Sequence, residues 1–511
     1  MKEHKSKVGK NLISMLMFQM YGDSKLIYRE YIQNSRDAIN DAVQNGVLSK
    51  ITDGRISITI NKADRIITIE DNGTGVSINN VEPVLLDIAD SSKDGETSAG
   101  QFGIGRLVGG YFCKKLSFKT SFQGEDMASE IVFDIAKIKR ILDDETDRST
   151  ATEVIDKTTD LNLYEEEVAK HYFIVTLEDI HPDYPELLDE NIISEYLKEV
   201  APIDYSVPFK NQLIATSAHD EYVELQQNVG HFQISVNGST SIKKRYGLKI
   251  EGTGDDILGL EYFKFEEQTY GMLAWGWYAN TPFTKSIPIS DKNSCFRLRK
   301  HNIQVGDANV LTQYFPKNET RGNKYFYGEI HIVNPKIKLN SARDGLAPTP
   351  ESEMLKSFIR NKFDELVKLY HLANDMKNVV RDFNSIEYDD NSVSEKREKQ
   401  DTVLNKLQQK ERSKNAQSSA AKRVIEHYKQ QVLAPKQTSE DGAFSSRGCV
   451  NVPPMKTISQ PIDPFDTLKQ VMSDNDIKLM KRIFDLLTAN CPRRHKDLLE
   501  ELKIKVIKDL A

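Results

Sequence analysis

The chain has 511 residues, 39% hydrophobic and 28% charged, enough for two to four globular domains at roughly 100–200 residues each. A net charge of −7 excludes a surface built throughout for nucleic acid or anionic membrane, although the tail beyond residue 376 is mildly basic. Cys113, Cys295, Cys449 and Cys491 lie far apart without CxxC spacing, so neither a zinc site nor a disulfide framework is expected, and a reducing cytoplasm fits.

The first apolar run, LISMLMF (12–18), is too short to span a bilayer, and no later run approaches about 20 apolar residues; no membrane partner is expected. Residues 8–46 predict two helices broken at YGDS (21–24), with Asp23 or Ser24 as N-cap of the second. RISITI (55–60) and RIITIE (65–70) alternate and are β-branched, which predicts a hairpin, and DNGTG (71–75) ends its second strand. Residues 76–99 are polar and loop-like. GQFGIGRLVGG (100–110) then opens a helix, and LSFKTSF (116–122), SEIVFDI (129–135) and YFIVTLEDI (172–180) complete a mixed sheet with helices on one face.

A second unit, from about residue 200 to about 375, carries strand patterns at HFQISV (231–236), YGMLAWGWYA (270–279) and YFYGEIHIV (325–333). It ends in a helix over 352–373, whose apolar residues recur three and four apart. From about 385 to 460 the composition turns Lys/Glu/Gln/Ser-rich and then Pro/Ser/Gly-rich. One short amphipathic stretch runs there through Ala420, Val424, Ile425, Tyr428 and Val432. Residues 463–511 read as a small helical region. The expected fold class is α+β.

Chemistry concentrates near residue 30. At 100° per residue, Glu30, Asn34, Asp37 and Asp41 fall within roughly 60° of one another on a helix, opposite an arc of Tyr28, Tyr31, Ile32, Ala38, Ile39, Ala42 and Val43. Alone, such a face is an ordinary solvated one. Asp71 at a strand end can accept from an exocyclic amine, while Gly73 and Gly75 let backbone approach a flat ring. GQFGIG supplies backbone N–H groups for phosphates. The Gly-rich element does not follow the first strand of a βαβ unit and no GxxxxGK[ST] occurs, which excludes the dinucleotide fingerprint and the P-loop.

In this order the three elements resemble the N, G1 and G2 boxes of the GHKL ATPases, the gyrase, heat-shock chaperone, histidine kinase and MutL superfamily. ISMLMFQMYGDSKLIYREYIQNSRDAIN (13–40) and GQFGIG are most similar to the prokaryotic HtpG-like heat-shock chaperones. The resemblance implies a Bergerat-type α/β sandwich over residues 1–195, a transducer (middle) domain over 196–378, a polar helical linker over 379–462 and a helical region over 463–511. It implies ATP and Mg2+ as ligands. Glu30 is then the base that orients and deprotonates water, Asn34 gives an oxygen to Mg2+, and Asp37 supports the nucleotide shell. Asp71 takes the adenine amine beside Gly73 and Gly75. Gly100, Gln101, Phe102, Gly103, Ile104 and Gly105 wrap the phosphates, and 76–99 is a lid with Lys93 as a phosphate contact. Arg106 departs from the family, which has an aromatic there; Thr176 is a candidate for its pocket-floor threonine. KIKLNSARDGL (336–346) resembles the loop that delivers an arginine to the γ-phosphate, making Arg343 the second catalytic candidate. FRLRKHNIQVGD (296–307) reads as a structural strand and turn. ATP hydrolysis driving a chaperone-like clamp, as a homodimer acting on a protein client, is the expected function. A DNA-associated ATPase, suggested by PRRHKD (492–497) and KIKVIKDL (503–510), is the alternative.

Overall fold

The computed structural model describes residues 8–18, 23–87, 105–216, 224–225, 229–340, 343–387, 392–433 and 484. Lys93, the loop residues 100–104 and all of 463–511 except Phe484 therefore lie outside the described residues. The fold is α+β, with two sheets and a helical region after them.

The first unit begins with helices α1 (Asn11–Phe18) and α2 (Leu26–Gln44). Neither expected N-cap residue caps α2. Its N-cap is Lys25, without a side-chain bond to the helix; Asp23 accepts from the Lys25 amide and the Ser24 hydroxyl donates to Glu186. Strands β1 (Arg55–Asn61) and β2 (Ile66–Asp71) form the expected hairpin. In β1, Ile56, Ile58 and Ile60 are buried and the intervening residues exposed, so one face meets helices and the other water. α3 (Val81–Leu85) follows. Residues Gly105–Tyr111, where a helix was expected, form a 3-10 helix. Then come β3 (Lys115–Ser121), β4 (Met127–Asp134), α4 (Ile135–Asp143), α5 (Ala151–Thr158), β5 (Thr159–Glu165), β6 (Tyr172–Glu178), α6 (Glu190–Val200), α7 (Val207–Thr216) and β7 (Gln233–Val236). The sheet runs β5-β4-β3-β6-β2-β1-β7. The sequence pattern grouped HFQISV with the second unit. In the structure β7 pairs in parallel with β1 and closes the first sheet instead.

The second sheet runs β11-β10-β12-β9-β8, built from β8 (Gly259–Glu267), β9 (Gly271–Asn280), β10 (Cys295–Lys300), β11 (Ile303–Val305) and β12 (Tyr327–Ile332). FRLRKHNIQVGD is indeed a strand, turn and strand, spanning β10 and β11. One face of this sheet packs Trp275, Trp277 and Tyr327 against Phe209 and Leu213 of α7. The other packs on α8 (Pro350–Glu387), α9 (Val393–Glu411) and α10 (Ser419–Leu433). α8 is longer than the 352–373 expected. Within the span read as a polar helical linker, α9 and α10 are packed: Ala420, Val424, Ile425, Tyr428 and Val432 all join the second core. Cys113 and Cys295 are free and buried.

Candidate active site

The strand period places the first carboxylate. Ile67, Ile69 and Asp71 share the helix-facing side of β2, so Asp71 ends the strand 3% exposed rather than in solvent. One of its oxygens accepts the Gly73 amide at 2.9 Å, turning the chain sharply. The DNGTG loop then lies against α2, with the Thr74 amide donating to the Ala38 carbonyl at 3.2 Å. A Cβ on Gly73 would stand 2.6 Å from Ala38 Cβ. Gly75 has φ +68°, and a Cβ there would meet the Ser121 carbonyl at 1.9 Å. The loop is pinned further by His171 Nδ1 at 2.8 Å from the Gly73 carbonyl oxygen and by the Val76 amide donating to Thr120 Oγ1 at 2.8 Å.

α2 brings the N-box residues to this loop. The polar face is not an ordinary solvated one. Glu30 is 1% exposed and Asp37 3%, Asn34 is half-buried, and only Asp41 is exposed. Asp37 is ion-paired with Arg36 at 2.8 Å. Glu30 carries two cations. Arg29 Nη2 is 3.4 Å from Oε1, and Arg343 Nη1 is 2.7 Å from Oε2. Arg343 also donates to Gln33 Oε1, and it sits in the left-handed region at φ 55°. A residue 313 positions away in sequence, carried by the loop after β12, is thus buried against α2.

Gly105 opens the 3-10 helix, whose Arg106 carbonyl accepts from Tyr31 of α2 at 2.9 Å. The Tyr31 hydroxyl in turn accepts the Gly109 amide at 3.1 Å, so the end of the Gly-rich element is fastened to α2. Arg106 donates to the carbonyls of Val84 and Asp87, and burial pushes its pKa down to about 10. Thr176 lies in β6 opposite Thr68 and Ser117, on the side of the sheet away from Asp71. That geometry removes it as a pocket-floor candidate. Thr120 is the threonine on the Asp71 side.

Sequence reasoning missed Gln33, Arg36, His171 and Thr120. Gln33 was within reach, since it lies three residues from Glu30 and so on the adjoining helical turn. Arg36 pairs with its sequence neighbour Asp37, whereas His171 and Thr120 are fixed by tertiary contacts with no local signal. Among the described residues no group of three or more His, Cys, Asp or Glu side chains is arranged to hold a metal by itself. An Mg2+ completed by phosphate oxygens and waters would need few protein donors, and the half-buried Asn34 amide would offer it one oxygen. Nor is any helix among them long and apolar enough to cross a membrane.

The buried strand-end aspartate, the two close-packed glycines and the acid-bearing helix stand beside one another as the candidate site. Residues 29–165 match the family model for histidine kinase-, DNA gyrase B- and HSP90-like ATPases, so the chain carries a domain of that superfamily. Within the superfamily it is HtpG-like. It is 34% identical to chaperone protein HtpG of Halalkalibacterium halodurans over 24% of this chain and 22% of the relative. To HtpG of Clostridium perfringens it is 30% identical over 45% and 43%, and to that of Buchnera aphidicola 27% over 24% and 23%. The matches thus span less than half the length of these relatives.

Proposed function

We propose that the protein hydrolyses ATP and uses the cycle to open and close a chaperone-like clamp. One observation carries the reading beyond nucleotide binding: Arg343 of the second unit is buried against Glu30 of the first. Asp71 receives the adenine amine while Gly73 and Gly75 keep the base site open to the ring. Asn34 would hold Mg2+, which would neutralise phosphate charge when bound, and Asp37 with Arg36 braces that end of α2. Gly105 and the expected contacts at Gly100, Gln101, Phe102, Gly103, Ile104 and Lys93 surround the phosphates. Glu30 orients water and takes its proton.

Arg343 sits on one oxygen of Glu30 and Arg29 beside the other, so the carboxylate is occupied by cations in this arrangement. A γ-phosphoryl group competes for the Arg343 fork, which suits phosphoryl oxygens. When Arg343 moves from carboxylate to phosphoryl, the base is released and the second unit shifts with it. Hydrolysis and domain position are then one equilibrium. A homodimer acting on a protein client completes the reading, which the similarity to HtpG supports.

The test is ATP turnover and equilibrium nucleotide binding for wild type and Glu30→Ala. Turnover should fall at least a hundredfold with binding retained. Wild-type turnover in Glu30→Ala would refute the base assignment. Stimulation by an unfolded protein, and none by duplex DNA across a salt series, is expected of a chaperone-like cycle.

A further inference from the structure

The hairpin β10–β11 makes contacts on two sides that together connect the seam between the units to Arg343. At the seam, Glu329 of β12 is fully buried and accepts from four side chains. They are Lys244 at 2.8 and 3.1 Å, His331 at 3.0 Å, Arg299 and Tyr205. Arg299 also donates to the Glu199 carbonyl at 2.8 Å and to the Asn302 carbonyl at 3.0 Å. Asn302 accepts from Lys244 at 2.8 Å and donates to the Gly230 carbonyl at 3.1 Å. The turn residues His301 and Asn302 both have positive φ, 53° and 63°. A turn so constrained by polar contacts has one position relative to the end of the first unit.

The same hairpin holds the Arg343 loop. Lys300, 8% exposed at the end of β10, donates to the Ile337 carbonyl at 2.5 Å. Gly306, just after β11, donates its amide to the Arg343 carbonyl at 3.3 Å. Gly306 has φ +65°, and a Cβ there would stand 2.7 Å from the Asp344 carbonyl. Between these fastenings, Arg343 reaches Glu30.

We propose that β10–β11 is the strut that sets Arg343 against the first unit, with Lys300 and Gly306 as positioning residues for the arginine. This rests on the reading that Arg343 acts on the phosphoryl group beside Glu30. Neither residue touches nucleotide; both act through the backbone that carries the guanidinium. Reacting groups held to within ångströms lose about a hundredfold in rate for a displacement of about 1 Å, so a loosened loop should lower turnover while leaving nucleotide affinity intact.

The experiment compares wild type, Lys300→Met, Lys300→Arg, Arg343→Ala and the Lys300→Met/Arg343→Ala double variant in the full chain, by steady-state ATP hydrolysis and nucleotide binding. Lys300→Met should lower kcat at least tenfold with KM within about twofold, and Lys300→Arg should restore most of the loss. In the Arg343→Ala background Lys300→Met should cause no further loss, because nothing remains to be positioned. An equal loss in both backgrounds, or KM and kcat changing together, overturns the proposal. Should Lys300→Met not fold, Gly306→Ala carries the same measurements. If Arg343→Ala itself hydrolyses at the wild-type rate, the reading of Arg343 fails and the strut with it. If Arg343→Ala is slow and Lys300→Met is not, only the strut fails.

Discussion

The Glu30–Arg343 pair can be measured directly by a double-mutant cycle with Glu30→Gln and Arg343→Met. Both side chains are buried, at 1% and 9% exposure, with 2.7 Å between the charged atoms. Two unit charges about 4 Å apart attract by about 4 kcal/mol at an effective dielectric near 20. Desolvation offsets part of this, and Arg29 at 3.4 Å keeps a second cation on the carboxylate when Arg343 is removed. A coupling of about 2 kcal/mol is therefore expected from chemical denaturation, read at the transition that includes the first unit. The losses of the two single variants should together exceed that of the double by about 2 kcal/mol. The informative step is to repeat the cycle with a non-hydrolysable ATP analogue, where the coupling should drop below about 0.5 kcal/mol because the guanidinium has exchanged partners. A coupling that is negligible without nucleotide, or that keeps its full size with the analogue, refutes the exchange of Arg343 between carboxylate and phosphoryl.

Gly75→Ala should both destabilise the first unit and weaken ATP binding at least tenfold, since its Cβ would press on the Ser121 carbonyl at 1.9 Å. Gly124→Ala is the control: it shares positive φ (+98°) but has nothing within 4 Å, so it should cost about 1–2 kcal/mol and leave affinity alone. Equal affinities in the two variants would undo the assignment of the DNGTG loop to the base site. Burial pushes His331 down to about 4. The unfolded chain, with an ordinary imidazole near 6.5, then binds more protons between those values. Stability is full above about pH 6.5 and falls as pH drops toward 4, by on the order of 3 kcal/mol for this group. His301, pushed to about 2, acts in the same direction, and Lys244, pushed to about 7, adds a smaller rise only near pH 7, being protonated in both states toward pH 5. Denaturation midpoints at pH 7 and pH 5 should differ less in His331→Gln than in wild type; identical slopes would exclude the buried imidazole as a source.

What was legible in the sequence was local. A β-branched hairpin, an aspartate at its end and glycines at fixed offsets are set by strand period and backbone sterics within twenty residues, and Asp71, Gly73 and Gly75 stand together as those rules require. The depth of the helix face was not legible. Periodicity grouped Glu30, Asn34 and Asp37 but could not tell a solvated face from one covered by a second unit. The cover here is Arg343, from far along the chain. Alternation in HFQISV identified a strand but not its partner, and β7 joins β1 across more than 170 residues in a parallel pair that no turn announces. The polar composition of 393–433 suggested helix but not its packing, because the buried stripes are narrow: Val403 and Leu407 in α9, and Ala420, Val424 and Tyr428 in α10.

The path of the chain explains why such a contact can serve coupling. After α6 the backbone leaves the first unit, lays α7 on the second sheet, returns to add β7 to the first, and then goes back to the second through Lys244. Three passages cross the seam, and Glu329 gathers two of them through Tyr205 and Lys244. A single linker would let the second unit wander and would make a 2.7 Å contact such as Arg343 to Glu30 entropically expensive. The passages held at Tyr205 and Lys244 limit motion of the second unit about the buried Glu329 cluster. A small rotation of this kind is what the proposed exchange of Arg343 from carboxylate to phosphoryl oxygen requires.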